Sequence, residues 1–228
     1  MEKAIYMVGG SKGGVGKSMV TMALIHFLTA RGEAVVVVDA DTSNPDVMQN
    51  YAKEIQCEGV NLDDADGWIR LVNLCDENAD KTVIVNTAAR NNQGVGAYGV
   101  TLSGTLDELK RRLVTLWVVN RQRDSLELLQ DFLEAIPNST VHVVKNGYFG
   151  ADEKFELYNS SKTRKSIEGR GGKSILFPDM ADRVSDDLYS KRLSIRKALA
   201  DMPIGNRAEL KRWLAQVDGV FSAVVPNG

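Results

Sequence analysis

A glycine- and lysine-rich segment, KGGVGKS at positions 12–18, lies between a short apolar run and a long apolar helix. Glycines allow the backbone to curl so that several N–H groups point at one anion. The helix that follows adds the positive end of its dipole. Lys17 is placed to reach the outer phosphates of a nucleotide, and the Ser18 hydroxyl to bind Mg²⁺. A strand, this loop and a helix in succession predict a nucleotide-binding α/β fold.

Six short apolar runs alternate with helical segments along the chain. Solidly apolar runs are typical of parallel strands that are covered on both faces. The predicted strands are 4–8, 34–38, 82–85, 114–119, 140–144 and 174–177. The predicted helices are 17–31, part of 45–53, 65–77, 124–135, 181–190, 194–200 and 206–217. The expected fold class is α/β: a three-layer, doubly wound, mainly parallel sheet with helices on both faces.

Two further segments are predicted to be loops. The glycine-rich segment 91–99, NNQGVGAYG, is interpreted as a mobile switch loop, with an ordinary flexible connection as the alternative. The segment 159–173 is rich in Ser, Lys, Arg and Gly and is interpreted as an exposed loop.

Length and composition are consistent with one nucleotide-binding domain spanning residues 1–228. The formal net charge is −2, so any nucleic-acid binding must come from a local basic patch. Cys57 and Cys75 lack the spacing of a metal site or a disulfide framework. No apolar run approaches the roughly 18 residues of a membrane-spanning helix. We therefore expect a cytoplasmic protein.

KGGVGKS resembles the deviant Walker A motif of the ParA/MinD superfamily of P-loop ATPases, which includes plasmid and chromosome partition ATPases. The general P-loop pattern G-x-x-x-x-G-K-[ST] fails by one residue, because Ser11 stands at the first glycine position. The additional Lys12 carries the resemblance. It implies that Lys12 contacts the nucleotide of a partner subunit, and hence that the chain forms a nucleotide-dependent homodimer.

The resemblance also implies a set of site residues for ATP and Mg²⁺. The sequence VDAD at 38–41 matches the family's D-x-D at the end of the second strand, although turn and capping chemistry before Pro45 is an alternative. The implied catalytic residues are Lys12, Lys17 and Asp41. The implied nucleotide-binding residues are Gly13, Gly14, Val15, Gly16, Lys17, Ser18, Met19, Asn146 and Pro178. The implied Mg²⁺ ligands, partly through water, are Ser18, Asp39 and Asp41.

Base recognition leaves two candidates. In the family an asparagine after a late strand contacts adenine, which implies Asn146, with the segment 178–180 completing the pocket. Asn120 ends another predicted strand and is the competing candidate.

The third predicted strand departs from the family pattern, because Asn86 stands where the family has an aspartate. An asparagine can hydrogen-bond a metal-bound water but brings no negative charge. We therefore expect weaker Mg²⁺ binding and weaker hydrolysis. On this reasoning, Asn86→Asp raises hydrolysis if the missing charge is the limiting factor.

The first function that fits these features is a nucleotide-switched dimer acting in plasmid or DNA partition, stability or conjugative transfer. Such a dimer would bind DNA phosphates through a basic surface. The basic residues in two clusters are Lys162, Arg164, Lys165, Arg170, Lys173, Lys191, Arg192, Arg196 and Lys197. The alternative is that they are ordinary solvated charges.

Two other functions remain open. One is a MinD-like, membrane-associated positioning ATPase, anchored by an amphipathic face of the last predicted helix. The apolar residues of this face are Leu210, Trp213, Leu214 and Val217. The alternative is that this helix packs on the sheet. The other is a nucleotide-sensing adaptor that binds a protein partner and hydrolyses little ATP, which Asn86 favours.

Overall fold

A computed structural model describes residues 2–10, 13–89 and 91–225. Its strands form one seven-stranded sheet in the order β3-β2-β4-β1-β5-β6-β7, and every pairing in it is parallel. The strands are β1 (Ala4–Gly10), β2 (Val35–Asp39), β3 (Gln56–Gly59), β4 (Thr82–Asn86), β5 (Arg112–Val119), β6 (Thr140–Asn146) and β7 (Ser174–Phe177). The six predicted strands and the α/β fold class are confirmed.

Helices connect the strands and cover the sheet. They are α1 (Lys17–Thr29), α2 (Asp46–Tyr51), α3 (Ala65–Glu77), α4 (Asn92–Ser103), α5 (Leu106–Leu109), α6 (Asp124–Ala135), α7 (Glu156–Asn159), α8 (Lys162–Gly169), α9 (Asp182–Ser190), α10 (Ile195–Asp201) and α11 (Ile204–Ser222). Two short 3₁₀ turns, Gly147–Phe149 and Asp152–Lys154, follow β6. The predicted helices are confirmed, with ends that move by a few residues.

In the strands other than β3, alternate side chains enter two separate core layers. In β1, Tyr6 and Val8 face one layer, whereas Ile5 and Met7 face the other. Helices α1, α2 and α9–α11 contribute buried side chains to the first layer. Helices α3–α8 contribute to the second. The strands are apolar on both sides because both faces are buried, which produces the three-layer architecture.

The edge strand β3 was not predicted. Its sequence, QCEG, contains neither an apolar run nor an apolar–polar alternation, and its residues are only partly covered. β3 pairs with β2 alone, so its backbone hydrogen bonds rather than its side chains define it. Edge strands of this kind are short and polar, which protects the sheet from further pairing.

The prediction of a switch loop at 91–99 is wrong, because this segment begins α4. Its glycines permit close packing rather than mobility. A Cβ atom at Gly94 would collide with the carbonyl of Leu62. Asn91 holds the start of the helix: its Oδ1 accepts from the Ala88 N–H and its Nδ2 donates to Asp63, both at 2.6 Å.

The prediction of an exposed loop at 159–173 is also wrong over most of its length, since residues 162–169 form α8. The Ser161 hydroxyl caps this helix by accepting from the Arg164 N–H at 3.0 Å. Thr163 and Ile167 are buried on its inner face. Ser, Lys and Arg form a helix here because two buried positions, four residues apart, anchor an otherwise polar segment.

Helix α11 packs on the sheet. Leu210, Trp213, Val217 and Phe221 are buried in the first core layer, and the Trp213 Nε1 donates to the Pro178 carbonyl at 2.9 Å. The apolar face considered as a membrane anchor is therefore occupied inside the fold. Within the described residues, no helix is long and apolar enough to cross a bilayer.

Candidate nucleotide-binding site

The phosphate loop joins the carboxyl end of the central strand β1 to the first turn of α1. Gly14 and Gly16 have φ angles of +76° and +101°, a left-handed conformation that side chains rarely adopt. Gly13 and Gly14 are exposed, and open space surrounds the position of a Cβ atom at either residue. Lys12, the proposed contact to a partner's nucleotide, lies outside the described residues.

The amino end of α1 is available to an anion. Gly16 is its N-cap residue, and among the residues that the structure describes no side chain makes a capping hydrogen bond there. The first helical bond is the Val20 N–H to the Gly16 carbonyl, at 3.0 Å. The N–H groups of Ser18 and Met19 precede it, and the N–H groups of a first helical turn have no carbonyl one turn earlier in the helix to donate to. This geometry fits a phosphate group.

Lys17 points its charge into a buried position. Only 7% of the residue is exposed, and burial lowers the pKa of its amine to about 8, an effect that the nearby Asp41 carboxylate opposes. A buried ammonium with one acidic neighbour is well placed to receive phosphate oxygens.

Asp39 and Asp41 have different surroundings at the end of β2. Asp39 is fully buried, and its oxygens accept from the Met48 N–H at 2.9 Å, the Asp41 N–H at 3.3 Å and the Asn86 amide at 3.0 Å. Burial raises the pKa of its carboxyl group. Asp41 is half-buried and faces Lys17. Asp41 and Ser18, also half-buried, are therefore the accessible oxygen donors that suit a magnesium ion.

Asn86 is also committed to hydrogen bonds. Its amide nitrogen donates to Asp39, and its carbonyl oxygen accepts from the Thr21 hydroxyl at 3.1 Å. The same hydroxyl lies 2.9 Å from the Lys17 carbonyl. Sequence reasoning missed Thr21; the signal was a hydroxyl residue flanked by Val20 and Met22, four positions after Lys17 in α1.

Asn146, rather than Asn120, lies against the phosphate loop. The Asn146 Nδ2 donates to the Val15 carbonyl at 2.8 Å, and a Cβ atom at Gly16 would collide with this amide. Asn120 instead accepts from the Gln122 N–H and the Ser125 hydroxyl at the start of α6.

The loops after β6 and β7 meet beside Asn146. A Cβ atom at Gly147 would lie 2.6 Å from the Phe177 carbonyl oxygen and 3.1 Å from the Asp179 nitrogen. The fold thus brings together Asn146, Pro178 and the phosphate loop, the residues assigned to one pocket.

The basic residues do not form one continuous stripe. Helix α8 packs in the core layer of α3–α7, whereas α9 and α10 pack in the opposite layer. Several of these cations are paired within the chain: Arg164 with Glu168, Lys191 with Asp187, and Arg196 and Lys197 with Glu54. Lys162, Lys165, Arg170 and Arg192 are exposed.

Comparison with known proteins gives a consistent result. Residues 6–149 match the family model of the CobQ/CobB/MinD/ParA nucleotide binding domain. Over 225 residues the chain is 62% identical to Protein MobD of Acidithiobacillus ferrooxidans, covering 99% of each protein.

Solved structures agree on the fold. MinD cell division protein of Aquifex aeolicus shares 15% identity over 95% of this chain and 97% of its own, with a TM-score of 0.53. A nucleotide-binding protein of Archaeoglobus fulgidus, solved with ADP, shares 16% identity over 83% and 87%, with a TM-score of 0.50. Together, the matched family model, the phosphate loop and the parallel sheet show that the chain belongs to the CobQ/CobB/MinD/ParA family of nucleotide-binding domains.

Proposed function

We propose that this protein is an ATP-binding, magnesium-dependent switch that dimerises when nucleotide is bound. The observation that carries the proposal is the phosphate loop, where two left-handed glycines and an uncapped helix start adjoin the buried Lys17. Lys17 is buried at the first position of α1, beside the glycine loop, where its ammonium group would meet a bound phosphate.

The side chains suggest how ATP would be held and cleaved. Backbone N–H groups of 13–19 would bind the phosphates, and Lys17 would neutralise their charge. Ser18 and Asp41 would hold Mg²⁺, directly or through water. When bound, the metal would stabilise the negative charge that develops during phosphoryl transfer. Asp41 would orient the attacking water, while Asp39, through the Asp41 N–H, would fix the position of that segment.

The proposed dimer uses Lys12 as a contact to the partner's nucleotide, as the family resemblance implies. We propose plasmid partition, stability or conjugative transfer as the setting. Its support is family membership together with the alignment to Protein MobD, which extends along 99% of both proteins. Nonspecific DNA binding through Lys162, Arg164, Lys165, Lys191, Arg192 and Arg196 belongs to the same proposal, and exposed Lys162, Lys165 and Arg192 favour it.

Calorimetry and sedimentation test the switch. Wild type should bind MgATP and shift from monomer to dimer with it. Lys17→Ala should lose binding, whereas Lys12→Ala should keep binding and lose dimerisation or turnover. Lys211→Ala, an exposed lysine change on α11, is the control and should behave as wild type. Absence of ATP binding at millimolar ligand would refute the proposal.

A gel-shift assay with DNA at low and high salt tests the surface. Binding should require ATP and weaken steeply with salt, because phosphate contacts release counterions. Equal binding with and without nucleotide would remove the switch from the DNA function.

A second function, an adaptor with little hydrolysis, is favoured by Asn86. This residue brings no charge, and its amide is already occupied by Asp39 and Thr21. The adaptor function would be supported over an active ATPase if ATP were hydrolysed more slowly than nucleotide dissociates and if the protein bound a partner protein only with ATP.

A further inference from the structure

Asn86 is placed by strand register beside Asp39. In the parallel pairing of β2 with β4, Asp39 is the direct partner of Asn86, and Asn86 also pairs with Val8 of β1. Only 1% of Asn86 is exposed. The strand register therefore places the two side chains next to each other on the same face of the sheet.

The Asn86 side chain connects three elements. Its Nδ2 donates to Asp39 on β2 at 3.0 Å, and its Oδ1 lies 3.1 Å from the Thr21 hydroxyl on α1, whose one hydrogen is shared with the Lys17 carbonyl at 2.9 Å. An aspartate would lose the donor, and an apolar residue would lose both bonds. Among the standard short side chains, the amide is the one that satisfies both neighbours.

Asp39 is surrounded by hydrogen-bond donors. Its carboxyl oxygens accept from the Asn86 amide and from the N–H groups of Met48 and Asp41. A second carboxylate at position 86 would stand about 3 Å from Asp39 in a buried site. An aspartate there would replace the donor that faces Asp39 by a second acceptor, so two oxygens would meet with no hydrogen between them.

We propose that Asn86 is a positioning residue: its amide accepts from Thr21 of the Lys17 helix and donates to Asp39, and so ties α1 to the Asp39–Asp41 segment. The contribution of Asn86 to folding stability is argued from the hydrogen-bond geometry alone. Its effect on nucleotide binding rests on the proposed function. It reverses the sequence-based expectation for Asn86→Asp, which should weaken the site rather than improve it.

Thermal unfolding without nucleotide tests the junction. Asn86→Asp should lower the midpoint by on the order of 5 °C or more. The charge swap Asp39→Asn/Asn86→Asp restores one carboxylate and one amide, so it should recover a substantial part of the loss. Two results would overturn the proposal: an Asn86→Asp protein as stable as wild type, or a double variant whose midpoint falls by the sum of the decreases measured for Asp39→Asn and Asn86→Asp alone.

Magnesium dependence separates positioning from simple stability. For wild type, Thr21→Val and Thr21→Ser, ATP affinity is measured with Mg²⁺ and with EDTA. Thr21→Val removes the donor to Asn86 and should reduce the magnesium-dependent gain about tenfold or more. Thr21→Ser keeps the hydroxyl and should retain the gain. Equal gains in all three proteins, or higher hydrolysis in Asn86→Asp, contradict the proposal.

The two tests also distinguish this inference from the proposed function. A wild-type protein that binds no ATP would refute the function, while the unfolding comparison would still decide the role of Asn86. A protein that binds ATP with magnesium but tolerates Asn86→Asp unchanged would refute the inference alone.

Discussion

Lys17 is a buried cation at the first turn of a helix, where burial disfavours its charged form. Burial lowers the pKa of its amine to about 8, and Asp41 only partly offsets this effect. Phosphate binding would favour the charged amine and so raise its pKa. The free protein therefore loses its proton at a pH where the complex still holds it.

This difference predicts pH-dependent affinity. Below pH 8 the amine is protonated in both states, and ATP affinity should be constant. As pH rises above about 8 the free protein must take up a proton to bind, so affinity should fall by up to about tenfold per unit. Calorimetry from pH 7 to 9.5 measures the step. Any ATP affinity that Lys17→Arg retains should not fall over this pH range, because a guanidinium stays charged.

Asn146 supports the phosphate loop through its bond to the Val15 carbonyl. Asn146→Ala should weaken ATP binding about tenfold, because one hydrogen bond contributes about 1 kcal/mol and the loop loses its brace. Asn120→Ala, which affects the start of α6, should leave affinity unchanged.

Comparing the affinities for ATP and GTP shows whether Asn146 contacts the base or supports the phosphate loop. Equal losses for ATP and GTP in Asn146→Ala indicate a brace, whereas a loss confined to ATP indicates contact with adenine. If Asn120→Ala gave the larger effect, the assignment of this pocket would be wrong.

At the residue scale, the sequence was sufficient where spacing along the chain defines the chemistry. Lys17 and Ser18 are neighbours in a motif, so their placement at the start of α1 was predictable. The Thr21–Asn86–Asp39 connection depends on strand register across residues far apart in sequence. No local pattern encodes that register, so the sequence alone does not predict the connection.

At the scale of elements, α4 shows why composition misled. Glycine disfavours isolated helices, so a segment with three glycines was predicted to be a loop. In the fold, Gly94 allows the helix to approach the Leu62 carbonyl, and Gly99 packs against Ile136. Tertiary packing overrides propensity here, as it does in β3 and α8.

A pair of glycine substitutions in α4 tests this explanation. Gly94→Ala should destabilise the protein by about 1–3 kcal/mol, because the methyl group meets the Leu62 carbonyl. Gly96→Ala meets nothing within 4 Å and should stabilise the helix by about 0.5–1 kcal/mol. Urea unfolding measures both. Similar effects at the two positions would show that propensity, not packing, dominates in α4.

On the scale of the whole molecule, α11 closes one face of the sheet. Trp213 packs edge-on against Phe177 of β7, with ring centroids 5.5 Å apart. Phe221 meets Phe27 of α1 in a similar arrangement at 5.5 Å. The last helix thus connects the first helix to the last strand, and its apolar side chains belong to the common core.

Removal of this packing should therefore act globally. Trp213→Ala should lower the free energy of unfolding by about 3–5 kcal/mol. Lys211→Ala, on the exposed side of the same helix, should change it by less than about 0.5 kcal/mol. Chemical denaturation followed by circular dichroism checks both. A Trp213→Ala protein with wild-type stability but altered sedimentation with liposomes would instead indicate a membrane role for this face.

The central place of β1 constrains how the protein can be made. Its partner strands arrive late: Ile5 pairs with Val83 and with Leu113. A nascent chain still on the ribosome holds its first strand without a sheet neighbour until synthesis passes β4, and with one of its two neighbours until it passes β5. Such distant pairings form slowly. Translation products that stop before β4 are therefore expected to remain both unfolded and unable to bind nucleotide.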